Sequence, residues 1–466
     1  MRRVAGPVRM WFRPGVGDEV SASRFSREQR QSYREKVQLC LDVFERLITT
    51  WSFEDGKPLT GLEVELNLVD NGYQPALVNA AVLDEISDPN YQTELGAYNI
   101  ELNVDPNPLA DLAVLEEELR TSLNTAEAKA NTRDAHIVMV GILPTLMQEH
   151  LDGSWMSAST RYLALNDSIF AARGEDLHLD IHGTERLSVY SSTLAPESAC
   201  TSVQLHVQVE PQDFAPAWNA AQLLAGPQLA LGANSPYFFG RELWRETRID
   251  LFMQSTDTRP QELRNQGVRP RVWFGERWIT SIFDLFEENV RYFPSLLPEV
   301  SDEDPVAELD AGRAPMLQEL RLHNGTVYRW NRPIYQVVDG IPHLRVENRV
   351  LPAGPTVVDT MANAAFFHGA LRTLMSDERP LWSKMAFSTA EENFFACAKQ
   401  GLDAGVYWPG LGETGAEELV LRRLLPMAHQ GLESAGVPQE VRERYLGIIE
   451  PGPRPDATAP PGRWPR

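Results

Sequence analysis

Basic charge, cysteine and long apolar runs are all scarce in this 466-residue chain. Lysine and arginine together number 43 against 65 acids, a formal net charge of -22. A surface of that sign makes nucleic acid and anionic membranes poor partners. The three cysteines, Cys40, Cys200 and Cys397, are widely spaced, odd in number and form neither a CxxC pair nor a disulfide framework, which points to a reducing cytoplasm. The start, Met1-Arg2-Arg3, is basic, but Pro7, Arg9, Arg13 and Pro14 stand where a signal peptide needs an apolar core. No apolar run approaches the ~20 residues needed to span a bilayer. Neither GxxxxGK[ST] nor GxGxxG is present, so a nucleotide would be held through metal and arginine on a sheet, without a P-loop or Rossmann turn. The class that survives is a cytoplasmic enzyme of small molecules, its oligomeric state left open.

What the chain does have is a pattern. In Gly61-Leu62-Glu63-Val64-Glu65-Leu66-Asn67-Leu68 aliphatic residues alternate with acids and an amide. Successive side chains of a strand point to opposite faces, so the leucines and valine go one way and Glu63, Glu65 and Asn67 the other. The pattern returns in Ile100-Glu101-Leu102-Asn103-Val104, in Val203 to Val209 around Gln204, His206 and Gln208, in Glu319-Leu320-Arg321-Leu322-His323, and in Val346-Glu347-Asn348-Arg349-Val350. One such strand is usually just the solvated face of a sheet. A solvated face mixes Lys, Thr and Ser with its acids, whereas these five contain Glu, Gln, Asn, His and Arg and no Lys.

Around these strands the spacing predicts helices. Ser26 with Gln29 is a capping-box pattern, followed by Tyr33, Val37, Leu41, Phe44 and Ile48 at helical spacing, a helix expected to cover the back of the sheet. Asp70-Asn71-Gly72 predicts a tight turn with an antiparallel partner after it. Residues 109–131 and 213–231 read as helices, 135–142 as a buried strand, 143–200 as loop-rich, and 235–315 as irregular covering loops. Beyond Pro355 helices dominate: Val357 to Met375, one opened by Ser388 with Glu391, one near 414–434 and one at 438–449. The expectation is α+β: a large, mainly antiparallel sheet with helices on one side and a helical C-terminal part from about 356. Residues 1–24 read as a flexible arm, 25–450 as one catalytic domain and 451–466 as a disordered tail.

The polar strand faces suit divalent cations and phosphates. Magnesium takes oxygen ligands and is commonly shared between carboxylates and substrate phosphates. Glu63 and Glu65 lie side by side on one strand face, Glu101 joins them if its strand is a near neighbour, and His206 with Glu347 would complete a second site. Glutamates with one histidine suit Mg or Mn better than Zn. Arg349 shares a face with Glu347 and is placed to clamp a phosphoryl group; a plain intrastrand ion pair is the alternative. Gln204, His206 and Gln208 form a polar ladder expected to face a wet or liganded site. Asn324-Gly325 begins a hairpin-like turn that sets Tyr328, Trp330 and Arg332 on one face, with Arg332 a candidate for a substrate carboxylate and the aromatics either pocket or core. Arg245 and Arg248 are candidate anion contacts in a covering loop, or simply surface arginines.

Taken in order, Gly61-Leu62-Glu63-Val64-Glu65, Ile100-Glu101-Leu102-Asn103, Gln204-Leu205-His206-Val207 and Val346-Glu347-Asn348-Arg349-Val350-Leu351-Pro352 resemble the successive motifs of the bacterial and plant glutamate-cysteine ligases. These are carboxylate-amine ligases that share a fold with glutamine synthetase and the guanidino kinases. The resemblance spans about residues 26–375. It implies an antiparallel sheet curved around ATP, Mg ions and glutamate, with glutamate attacking the γ-phosphate and an amine, cysteine in the namesake enzymes, displacing phosphate from the acyl phosphate. Glu63, Glu65, Glu101, His206 and Glu347 would then be metal ligands, Arg349 and Glu65 catalytic, and Asn103, Gln204, Gln208, Arg248, Arg321, Tyr328 and Arg332 substrate or ATP contacts. The first motif reads Glu-Val-Glu where many relatives carry three acids in a row, and Gln204 and Gln208 flank His206 in place of simpler neighbours. Other readings of the same residues are a phosphotransferase of this fold and a binding protein with a polar sheet face.

Overall fold

Alternating aliphatic and polar side chains build one seven-stranded sheet in which every pairing is antiparallel. The structure, a computed structural model, describes residues 25–53 and 59–450; the expected arm and tail lie outside the described residues. The strands are β1 (Leu59–Val69), β2 (Tyr91–Thr93), β3 (Asn99–Pro108), β4 (His136–Val138), β5 (Val203–Val209), β6 (Asn331–Val338) and β7 (Ile341–Asn348). Their spatial order is β6-β7-β5-β1-β3-β2, with β4 beside the end of β1. A register shift between Thr60 and Leu62 bends β1 where it meets β3. β6 and β7 are joined by a two-residue turn, Asp339 and Gly340, with φ of 51° and 77°. Positive φ at both positions matches the twist of a tight hairpin.

One face of this sheet carries the core. Leu62, Val64, Leu66 and Leu68 are fully buried, as are Leu205 and Val346. Against them lies the helix Pro211–Gly232, buried on all sides from Ala217 to Ala230 and itself covered by the helices Val357–Met375 and Phe387–Gln400. Such a helix has no polar stripe because it has no wet side. The helices Leu425–Ser434 and Gln439–Ile449 complete this layer, and Tyr445 and Arg444 tie it to Glu116 on the helix Leu112–Ala130. The C-terminal part is helical, as expected, and it forms the outer wall of the sheet.

Several local expectations fail. Glu319 to His323 is no strand but the helix Gln318–Asn324: two apolar residues at i and i+2 fit either period, and here Glu319 and His323, four apart, share a face and find partners in Ser301 and the Asn289 carbonyl. The helix Arg27–Thr50 does begin at its Ser26/Gln29 capping box, and it packs chiefly on the helices Gln318–Asn324 and Ile282–Tyr292, meeting the sheet where Phe44 lies edge-on to Tyr335 of β6. Of 135–142 only three residues pair, half exposed at the sheet's edge. After Asp70-Asn71-Gly72 the return stroke is a single bridge at Pro75, whose missing N–H stops a ladder from forming. Asn324-Gly325 closes a helix and no hairpin; Tyr328–Arg329 pairs in parallel with Val272–Trp273. Residues 143–200 hold the helix Thr160–Arg173 and the hairpin Leu177–His182/Arg186–Ser191. Residues 235–315 include the helices Thr247–Ser255 and Ile282–Tyr292. Near 414–434 a hairpin, Gly405–Trp408 with Gly412–Gly415, precedes helix from Ala416, and the helix expected from Ser388 starts at Phe387 after Ala386.

Candidate functional site

The second face of the sheet is not a solvated one. Glu65, Glu101, Asn103, Gln204, His206 and Glu347 are all under a tenth exposed. Register explains how residues so far apart in sequence meet. Across the sheet run two rows: Gln92, Glu101 and Glu65 on β2, β3 and β1, and Arg332, Glu347, His206 and Gly61 on β6, β7, β5 and β1. Between them Glu63 lies opposite both Asn103 and Gln204. Gly61, with no side chain, leaves the end of the His206 row open.

Two groups of ligand-capable side chains result, each with its donor atoms within 4.8 Å of one another. The first is Glu63, His206 and Glu347; the second is Glu65, Glu94 and Glu101. Sequence reasoning found five of the six but grouped them wrongly, keeping Glu63 with its strand neighbour Glu65. Residues two apart on a strand are about 7 Å apart, and the cross-strand neighbour is closer. Glu94 was missed: it follows the three-residue strand β2, too short for alternation to show.

The groups differ electrically. In the first, Arg332 grips both oxygens of Glu347, with Nη2 donating to Oε1 at 2.9 Å and Nε to Oε2, and Arg349 donates to the same carboxylate. Burial alone would raise Glu347, but Arg332 and Arg349 outweigh it and hold the acid well below the usual carboxylate range. His206 Nε2 lies 2.9 Å from Glu63 Oε1. Burial, aided by Arg345, pushes the imidazole pKa down, so it is neutral and fit to ligate. Burial and Glu347 push Glu63 up to about 8.

The second group has amides where the first has guanidinium groups. Glu65 accepts from the Ser202 amide at 2.6 Å and from Gln204 Nε2 at 2.9 Å. Glu101 accepts from Gln92 at 2.5 Å and Asn103 at 3.0 Å. Burial pushes Glu65 and Glu101 each up to about 7, and raises Glu94 above the ordinary range with Glu101 adding to it. Three carboxylates this close and this dry need a counter-cation or protons. The donor sets, all-oxygen in one group and two carboxylates with one imidazole in the other, fit Mg or Mn.

Both groups open on one cleft, through Glu63, His206 and Glu347 and through Glu94 and Glu101, while Glu65 lines a smaller chamber beside it. Arg161, Arg321, Arg332, Arg345 and Arg349 all line the cleft, giving the cavity of an acidic protein a strongly basic wall. Arg349 sits at the junction of the groups, its Nη1 shared between Glu347 and Gln204 Oε1 at 2.5 Å, and Glu347, Glu65 and Glu63 raise its pKa although burial opposes them. Arg321 reaches the cleft from a helix, not a strand. Tyr328, Asn103 and Gln204 line it too. Gln208 does not: it is buried beyond the cleft, its Oε1 without a partner among the described residues. Arg245 is exposed beside Glu242. Arg248, buried against Glu246, lines this smaller chamber, which adjoins the cleft through Glu94, Glu197, Tyr328 and Arg349. Arg161, Glu197 and Arg345 were also missed. Arg161 and Glu197 come from segments without alternation, and Arg345 stands in β7 just ahead of the stretch first recognised.

Comparison with known proteins gives a family and a fold. The family model described as Glutamate-cysteine ligase family 2 (GCS2) matches residues 59–447. No curated protein sequence matches the chain significantly. Among solved structures the fold is similar to that of a glutamate-cysteine ligase from Francisella tularensis in complex with AMP, with a TM-score of 0.50 and 12% identity over 86% of this chain and 82% of that one. A bifunctional glutathione synthetase from Pasteurella multocida aligns with a TM-score of 0.48 and 12% identity over 90% of this chain and 49% of its own.

Proposed function

The chain belongs to glutamate-cysteine ligase family 2, and from that membership we propose that it is a cytoplasmic, ATP- and Mg-dependent carboxylate-amine ligase, with glutamate as donor and cysteine as the first candidate amine. The reaction would pass through a γ-glutamyl phosphate, and residues 25–450 would form one catalytic unit. The observation that carries this reading is the pair of buried ligand groups facing one arginine-lined cleft, with Arg349 between them. AMP in the Francisella tularensis structure supports a nucleotide as co-substrate.

Glu63, His206 and Glu347 would hold one divalent cation and Glu65, Glu94 and Glu101 another; such ions, when bound, neutralise phosphate oxygens and polarise the transferring phosphoryl group. The chain's own residues supply the rest. Arg161, Arg321, Arg332 and Arg345 are placed to take the polyphosphate, each an always-charged fork suited to phosphate oxygens. Arg349 would offset the charge that develops as the glutamate carboxylate attacks the γ-phosphate. Gln204 and Glu347 hold its guanidinium in place before substrate arrives, so little reorganisation is needed at the moment of reaction. The depth of the site keeps water from the acyl phosphate.

The test is to incubate purified protein with ATP, Mg and glutamate, with and without cysteine under reducing conditions, and to follow ADP and products by mass spectrometry. ADP together with γ-glutamylcysteine is expected. Absence of glutamate-dependent ADP would sink the proposal, and ADP with a different amide product would move only the amine.

A further inference from the structure

Arg321 and Arg332 reach the cleft from different elements, the seven-residue helix Gln318–Asn324 and β6. So short a helix has little stability of its own, and its direction is set by what holds its ends. At one end Glu319 accepts from the Ser301 amide at 2.6 Å and the Ser301 hydroxyl at 2.8 Å, and Tyr33 donates to the Glu319 carbonyl at 2.7 Å. At the other end the holder is Asn289, on the helix Ile282–Tyr292 and 1% exposed. Its backbone carbonyl accepts from His323 Nε2 at 2.9 Å, and its side-chain Nδ2 donates to Asn324 Oδ1 at 2.9 Å. Asn324 Nδ2 in turn donates at 2.8 Å to the carbonyl of Pro333, the neighbour of Arg332. The Asn289 side-chain oxygen accepts from Arg329 Nη2 at 3.1 Å and Nε at 3.3 Å, and Arg329 lines the smaller chamber.

This relay has a direction. Turning the Asn289 amide round would set its oxygen against Asn324 Oδ1 and its nitrogen against the Arg329 guanidinium. Turning the Asn324 amide round would set its oxygen against the Pro333 carbonyl. Apolar side chains could join the same elements, but a fully engaged polar network joins them in one arrangement. Resting on the ligase reading above, we propose that Asn289 is a positioning residue for the nucleotide: by locking the helix Gln318–Asn324 to β6 it sets Arg321 and Arg332 at the spacing a polyphosphate needs. Asn289 itself lines neither the cleft nor the chamber, so it acts only through these partners. Displacing such groups by about 1 Å can cost up to about 10²-fold in rate. The His323 bond goes to the backbone of Asn289, so the two helices stay tied when the Asn289 side chain is changed.

The experiment follows glutamate-dependent ADP formation by the full chain with Mg and cysteine while ATP and glutamate are varied in turn, beside thermal melts of the same proteins. Asn289→Asp is the discriminating variant. It keeps the shape and the bond from Arg329, now as an ion pair, but sets an acceptor against Asn324 Oδ1. Its melting temperature should stay close to that of wild type, while the ATP KM rises about tenfold and the glutamate KM stays within about twofold. Asn324→Ala, which cuts the relay at its next link, should raise the ATP KM likewise. The double variant should be no worse than Asn324→Ala, because the two links act in series. An unchanged ATP KM in Asn289→Asp, losses shared equally between ATP and glutamate, or losses that multiply in the double variant would overturn the assignment. A wild type without glutamate-dependent ADP would instead bring down the ligase reading, and the role of Asn289 with it.

Discussion

Glu63, His206 and Glu347 form a group balanced from within the protein; Glu65, Glu94 and Glu101, one strand pair away, form a group that is not. Both are largely buried, Glu94 alone being partly exposed in the second, and both have three donors within 4.8 Å of one another. Two guanidinium groups answer Glu347, while amides and one backbone N–H answer Glu65 and Glu101. The difference teaches that the first group is a fixed piece of structure, and the second a charge deficit that only protons or a cation would relieve.

Arg349→Ala removes the residue between the groups and should have the largest effect. ADP release should fall about 10³-fold, a loss typical of arginines that stabilise phosphoryl transfer, with the fold retained by circular dichroism. A fall below tenfold would mean that the site is misplaced.

The sharper contrast is in stability. Glu347→Gln strands two arginines and should destabilise the metal-free protein by about 3 kcal/mol. Glu94→Gln removes like charge from the unbalanced group and should stabilise it by on the order of 1 kcal/mol, yet weaken activation by Mg about tenfold or more. Thermal melts with and without Mg read both signs; the same sign for both variants would erase the distinction.

The same contrast predicts a pH dependence. Acids whose folded pKa is raised bind more protons folded than unfolded, so their contribution is complete below the ordinary carboxylate range and is lost as pH rises through the folded values. Glu65 and Glu101 at about 7 and Glu63 at about 8 place that loss mainly between pH 5 and 8. The melting temperature of metal-free protein should drop across that window, and Mg should flatten the drop. Glu347, held low, acts in the opposite direction and only in acid. Smallest of all, Gln208→Leu deletes a buried carbonyl that has no partner among the described residues and should leave the melting temperature undiminished and turnover unchanged within about twofold.

How much of this was legible beforehand follows from range. Strand faces were readable because alternation is local: Glu63, Glu65, Glu101, His206 and Glu347 were found this way and all reach the site. What alternation cannot carry is which strand lies beside which. The pairing of β5 with both β1 and β7, over a hundred residues apart, decides that Glu63 meets His206 and not Glu65's partners. Helix-borne and loop-borne members such as Arg321, Arg161 and Glu197 are set by packing alone, and short segments such as Glu319 to His323 satisfy two periodicities at once. The capping box at Ser26 and the helix Val357–Met375 were legible to the residue, because caps and long apolar repeats are local chemistry.

The hairpin turn at Asp339 and Gly340 has a consequence for how such a chain can vary. Every pairing between Arg332 and Glu347 is counted outward from those two residues. Gain or loss of one residue there would turn Arg332 to the core side and present Asn331 or Pro333 to the cleft in its stead. Length in this loop is thus quantised in steps of two, and insertions that most surface turns absorb without notice would here be filtered out by the chemistry one strand's length away.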